Sequence, residues 1–269
     1  MYNYYVNGKW EKSKNAKIPF DDVGFLYGDG LFETMRFDNN KIFLPNNHIN
    51  RLMKSLKIID LKINKSKNEI INLLYSVINK NPLNAGIIRL MVTRGIPNNN
   101  RPGIYISIKP FYEIPKDPVK VIYLDESDYP IIRFTPAIKS MNYLGNMLAK
   151  KQASNEKAFE PIFYNRNNII TECAIRNIFY IKNEELLTPS LDLGILSGVM
   201  RDNIINVAKK MGISCKDIHI KLEDVNVMDE AFISSTGIGL LECYWNDWVS
   251  NYSITKQIKK ELFKSINNN

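Results

Sequence analysis

The chain has 269 residues, 45% of them hydrophobic and 24% charged, and carries a formal net charge of +8. That length allows one large or two modest cores, and no apolar run reaches the thickness of a bilayer. The lysines are scattered among Asn, Asp and Glu, which speaks for a solvated surface or a small anionic ligand and against nucleic acid or a membrane. Cys173, Cys215 and Cys243 form no Cys-x-x-Cys pair, and the only histidines are His48 and His219. A disulfide framework and a metal site are therefore not expected. The opening MYNYYVNGKWEK shows no basic region followed by an apolar stretch, so a secretory leader is not expected and a cytoplasmic location fits best.

In chain order, YNYYVNGKW reads as a strand with an Asn-Gly turn. LFETMRF, DNN and KIFL read as a hairpin. NNHINRLMKSLKII is a helix with Ile49, Leu52, Met53 and Leu56 on one face. SKNEIINLLYSVIN is a second helix, with Ser66 and Glu69 spaced as a capping box. Two strands follow, GIIRLMVTRG and GIYISIKP, joined by the polar loop IPNNNRP. The prolines of KPFYEIPKDP mark a linker, which divides the chain into domains at 1–113 and 119–269 with 114–118 between them. Beyond it, VKVIYL is a strand. A helix then opens after Lys139, with Met141, Leu144 and Leu148 on one apolar face and Met147 at its border. EPIFYN and IITEC follow as strands about a turn at RNN. NIFYIKNEELLTPS reads as two strands joined at Asn183–Glu185. GVMRDNIINVAKKMGI is a helix that Gly212 ends, and EAFISST is a buried strand. The terminal INNN reads as disordered. Mixed elements in both halves predict an α+β protein.

Particular residues suggest chemistry. Lys139 stands just before a helix, where the dipole disfavours a cation; burial or a neighbouring cation turns such an amine into a Schiff-base former. Glu172 ends an apolar strand, where a carboxylate calls for a cationic partner. LGILSGVMRDNII places a glycine at a helix start, where backbone N–H groups can hold an anion. FISSTGIG runs a strand into a turn whose Ser235 and Thr236 hydroxyls suit phosphate. An amine, a carboxylate for a protonated ring nitrogen and two phosphate-holding turns are what pyridoxal phosphate requires.

The order of YGDGLFETMR (27–36), HINRL (48–52), IKSMNYL (138–144), ITECAIRNIF (170–179), GILSGVMR (194–201) and FISST (232–236) resembles the class IV aminotransferases and lyases, across about residues 24 to 243. The resemblance implies a two-domain fold-type IV pyridoxal 5′-phosphate enzyme, D-amino-acid aminotransferase-like, with a small N-terminal α/β domain and a larger C-terminal mixed domain. It implies that Lys139 binds the cofactor as an imine and moves protons. Tyr143 would meet the cofactor's phenolic oxygen, and Glu172 its ring nitrogen. Arg51, Val199, Met200 and Thr236 would hold the phosphate, Arg51 through its fork. Asn177 would support them. It also implies a homodimer. Met200 stands where a threonine is common, Arg176 replaces part of a Ser-Asn ending, and GIGLLEC lacks an acidic residue and proline found in many relatives.

Three reactions compete. Thr34 stands where branched-chain aminotransferases usually carry glycine. Asn99 and Arg101 stand where D-amino-acid aminotransferases carry an Arg-x-His pair. The length, Thr34, Arg101 after TRG, TEC around Glu172 and GVMR resemble 4-amino-4-deoxychorismate lyase, which releases pyruvate and forms 4-aminobenzoate for folate synthesis. Lys139, Glu172 and Thr34 are then the catalytic candidates. Arg101, Arg94 and Tyr27 are the candidates for binding a small anionic amino substrate. The alternative is an aminotransferase of branched-chain or D-amino acids with 2-oxoglutarate.

Overall fold

A computed structural model describes residues 1–97 and 101–267. Asn99, and the last two asparagines of the INNN end, lie outside the described residues. The chain divides into two compact units, Met1–Glu113 with Ile138–Asn142, and Ile114–Ala137 with Tyr143–Asn269.

The first unit contains β1 (Asn3–Val6), β2 (Lys9–Lys12), α1 (Val23–Tyr27), β3 (Gly30–Asp38), β4 (Lys41–Ile42), α2 (Pro45–Ile58), α3 (Lys67–Asn79), β5 (Gly86–Thr93) and β6 (Gly103–Lys109). Its six-stranded sheet has the order β2-β1-β6-β5-β3-β4. Side chains alternate between faces along each strand. Leu31, Met35 and Phe37 of β3 thus join Ile88, Leu90 and Val92 of β5 on one face. Ile49, Leu52 and Leu56 of α2 and Ile70, Leu74 and Val77 of α3 complete that core. The Ser66–Glu69 capping box starts α3.

Residues 138–142 fall inside the 119–269 segment assigned to the second domain from sequence, yet they pack with the first unit. The cause is backbone pairing. Leu31 faces Ser140 in an antiparallel bridge, Phe32 N–H donates to Lys139 C=O at 3.0 Å, and Met141 N–H to Gly30 C=O at 2.9 Å. The proline-rich 114–118 stretch belongs to the second unit.

That unit contains β7 (Val119–Asp125), α4 (Leu144–Asn155), β8 (Glu160–Tyr164), β9 (Ile170–Cys173), β10 (Asn177–Lys182), β11 (Glu185–Pro189), α5 (Val199–Lys210), β12 (Cys215–Ile218), β13 (Glu230–Ser235), β14 (Gly239–Tyr244) and α6 (Ser253–Asn267). Its strands run β12-β11-β10-β13-β14-β7-β8-β9. α1, β12, β14 and α6 were not foreseen from sequence. α6 is anchored by buried Glu230, which accepts from Ile254 N at 2.9 Å and Thr255 N at 2.7 Å, a carboxylate cap supplied by a strand.

α4 reverses the expected orientation. Leu144, Met147 and Leu148 are 67%, 51% and 44% exposed, while Gly145, Ala149 and Ala153 are buried. The helix lies so close to its neighbours that a Cβ at Gly145 would come within 2.7 Å of the Pro130 backbone. Small residues make that approach possible, and the large ones are left outside. Ala149→Leu should therefore cost about 1–3 kcal/mol by overpacking, read as a lower urea midpoint with an unchanged m-value.

Candidate active site

Lys139 is not part of a helix, since α4 begins only at Leu144. It lies on the extended segment bound to β3, in register with Phe32. Both side chains therefore leave the sheet on the face opposite the α2/α3 core. Lys139 Nζ lies 4.6 Å from the centroid of the buried Phe32 ring. The Arg89 guanidinium carbon lies 4.1 Å from the same centroid. Thr34 pairs with Arg89 across the ladder and shares that face. An amine and a guanidinium are thus gathered about one aromatic ring, on the sheet face that Thr34 shares. Arg89 was not among the candidates from sequence. Its signal was a charge on a strand otherwise apolar, GIIRLMV.

Arg51 is held by a residue that sequence reasoning also missed. Glu33 is 1% exposed and projects from β3 on the core side. Arg51 Nε donates to Glu33 Oε1 at 2.8 Å, and Nη2 to Oε2 at 2.7 Å. His48 Nδ1 lies 2.7 Å from Oε2. Burial alone would raise the Glu33 carboxyl, but the Arg51 charge and the hydrogen bonds from His48 and Arg51 hold it down at about 2. Glu33 is therefore ionised and accepts, and Nδ1 carries the proton. Burial pushes the His48 imidazole below its ordinary range, against the pull of Glu33, and the charges of Arg51 and Lys139 add to that lowering. An acid on the core side of an alternating strand was the available sequence signal.

In the second unit, Glu172 sits at the end of β9 and accepts from Leu196 N at 3.2 Å and from Arg133 Nη1. Arg133 also donates to Glu126 at 2.7 Å and to Thr171 at 3.0 Å. Burial works against its charge, and the two carboxylates outweigh burial and raise its pKa. Tyr143 is the N-cap residue of α4. Its hydroxyl donates to Ala174 C=O at 3.1 Å, beside Asn146 Nδ2 on the same carbonyl at 2.8 Å. Asn177 Nδ2 donates to Leu196 C=O at 3.1 Å. Its Oδ1 would lie 1.9 Å from a Cβ at Gly198, so that position demands glycine.

Gly198 is the N-cap of α5 and offers no side chain to its first turn. The Val199 and Met200 amides therefore sit at an N-terminus suited to an anion. The Met200 side chain is buried, so only its backbone can serve there. Ser235 ends β13 and Thr236 follows it, largely buried. Arg176, the departure in AIRN, is explained by Glu160. That carboxylate is fully buried and accepts from Arg176, from Lys150 Nζ at 2.9 Å and from Ile175 N at 2.8 Å.

The substrate candidates fare differently. Arg94 makes four hydrogen bonds within its own unit. It grips Asp29 at 2.6 and 3.2 Å, and donates to the Ile59 and Asp60 carbonyls at the end of α2 at 2.9 and 3.1 Å. Those contacts tie the β5 end to Asp29 and to the end of α2. Arg101 and Tyr27 are exposed. Among the described residues no group of His, Cys, Asp and Glu is placed to hold a metal, and no helix is long and apolar enough to cross a membrane.

A family model described as amino-transferase class IV matches residues 30–243. The D-alanine aminotransferase of Listeria monocytogenes is 37% identical over 87% of this chain and 83% of its own. The aminodeoxychorismate lyase of Bacillus subtilis is 33% identical over 88% and 84%. The branched-chain aminotransferase of Thermoproteus uzoniensis, solved with norvaline, superposes with a TM-score of 0.91 at 22% identity, over 99% of this chain and 95% of its own. The chain belongs to the class IV aminotransferase family, with the fold-type IV architecture. Its cofactor is pyridoxal 5′-phosphate, and the residues fit it. The glycine-only contact at Gly198 and the uncapped start of α5 would suit a phosphate, and the carboxylate of Glu172 braced by Arg133 would suit a protonated ring nitrogen.

Two outcomes follow from these contacts. The lowered Glu33 carboxyl contributes stability above pH 4.5, its ordinary value, which is lost as pH falls toward about 2. That contribution is on the order of 3 kcal/mol, so Glu33→Gln should flatten this acid limb in urea titrations taken across that window. Gly198→Ala should weaken cofactor retention by forcing Asn177 off the Leu196 carbonyl, read as faster loss of cofactor absorbance on dialysis.

Proposed function

We propose that the chain is a 4-amino-4-deoxychorismate lyase that releases pyruvate and forms 4-aminobenzoate for folate synthesis. The observation that carries this reading is Thr34, a hydroxyl on the same sheet face as Lys139 and directly across from Arg89. A lyase must deliver a proton to the enolpyruvyl methylene, and a hydroxyl near the base offers the route. A transaminase has no such need.

Pyridoxal phosphate supplies the electron sink for the carbon that bears the amine. Arg51, the Val199 and Met200 amides, Ser235 and Thr236 would hold its phosphate. Glu172 would keep the ring nitrogen protonated, and Arg133 keeps Glu172 in place. Tyr143 would hydrogen-bond the phenolic oxygen, and Asn177 steadies the 196–198 turn. Lys139 Nζ would take the proton from the amine-bearing carbon. Arg89 and Arg101 would receive the substrate carboxylates. Thr34 would pass the proton that lets pyruvate leave. The apolar outer face of α4 supports a homodimer. The free cysteines, two of them buried, fit a cytoplasmic enzyme.

A second reading is an aminotransferase of D- or branched-chain amino acids, favoured by the identity to the D-alanine enzyme. Lys139 would then serve both proton transfers, and Thr34 would be dispensable. Two assays separate the readings. Aminodeoxychorismate should yield pyruvate and 4-aminobenzoate, and Thr34→Val should slow this by roughly a hundredfold or more while the protein stays yellow. Turnover only of amino acids with 2-oxoglutarate rejects the lyase. Retention of the borohydride-sensitive yellow band by Lys139→Ala rejects the cofactor assignment.

A further inference from the structure

The contacts of Arg51 carry an inference that rests on the cofactor reading above and deepens it. A lone arginine on a helix has freedom about its whole stem, and ordering it costs side-chain entropy. Here Glu33 removes that freedom before any ligand arrives. Its two oxygens take Nε and Nη2 of Arg51 side by side, at 2.8 and 2.7 Å. That bidentate pairing fixes the plane of the guanidinium. Glu33 is itself fixed. It is part of the β3 ladder with Leu90 opposite, it is almost wholly buried, and its Oε2 also faces His48 Nδ1 at 2.7 Å. His48 and Arg51 lie three residues apart on α2, on adjacent turns of one face. The strand thus carries a carboxylate that ties two neighbouring helix side chains into one rigid unit.

We propose that Glu33 is a positioning residue that presets the Arg51 fork for the cofactor phosphate, with His48 locking the carboxylate from its other side. Glu33 cannot touch the phosphate favourably, since two anions repel. It acts through Arg51 alone. The consequence is a selectivity: Glu33 matters for a phosphorylated ligand and is indifferent to the same ligand without phosphate.

The test is a comparison of dissociation constants for pyridoxal 5′-phosphate and for unphosphorylated pyridoxal. Apo-protein is titrated with each and followed by visible absorbance. In Glu33→Gln the phosphate ester should bind roughly ten- to a hundredfold more weakly, the scale of a lost charge-assisted hydrogen bond. Pyridoxal should bind as it does to the natural chain. Glu33→Asp, which keeps the buried charge but shortens the reach, should lose the preference in the same direction and serves if the glutamine variant does not fold. In an Arg51→Lys background, Glu33→Gln should add nothing further. Equal weakening toward both ligands, or an unchanged preference for phosphate, overturns the proposal. Failure of the natural chain to bind either ligand overturns the cofactor reading itself, so the two failures are distinct.

Discussion

Two backbone hydrogen bonds, Phe32 N–H to Lys139 C=O and Met141 N–H to Gly30 C=O, decide where the lysine stands. They make residues 138–142 a short partner of β3 within a unit that otherwise ends at Glu113. Strand pairing admits no half-measure, because a slip of one residue would send Lys139 to the opposite face of the sheet. With the register as it is, β3 serves two sides at once. Its even positions Phe32 and Thr34 share the face of Lys139 and Arg89. Its odd position Glu33 reaches the helices and fixes Arg51. Distance along a single strand thus sets the spacing of the chemistry.

The buried acids follow one rule. Glu33, Glu160 and Glu230 are nearly or fully inaccessible, and each is satisfied by several donors. Glu33 has a guanidinium and an imidazole. Glu160 has two cations and an amide, and Glu230 has the start of α6. A buried carboxylate without such partners would be strongly unfavourable. Each acid therefore marks a place where two chain segments are held to one geometry. For Glu33 and Glu160 those places lie beside Arg51 and beside the turn that follows Glu172.

The family was legible in the sequence: the motif order pointed to the class IV aminotransferases, whose model matches residues 30–243, and nominated Lys139, Tyr143, Glu172 and Asn177. The Ser66–Glu69 spacing identified a helix start that the structure contains. Alternation in β3 was legible too, and Glu33 could have been found there as an acid among core positions. α4 was misread because amphipathicity assumes that large apolar side chains face inward. A helix seated on Gly145, Ala149 and Ala153 violates that assumption. The partners of Arg133 and Arg94 were not legible at all. Glu172 lies 39 residues from Arg133 and Asp29 lies 65 from Arg94, and no local pattern records which arginine a distant acid will claim.

The Arg176–Glu160 pair is unequal in what the loss of each partner would cost. Removing the acid strands the buried guanidinium of Arg176, at a cost of about 3–5 kcal/mol, whereas replacing both together can be nearly neutral. Removing the arginine leaves an acid that still holds the Ile175 amide and keeps Lys150 as a counter-charge. The order of loss is therefore constrained: the arginine can depart first, but the acid cannot.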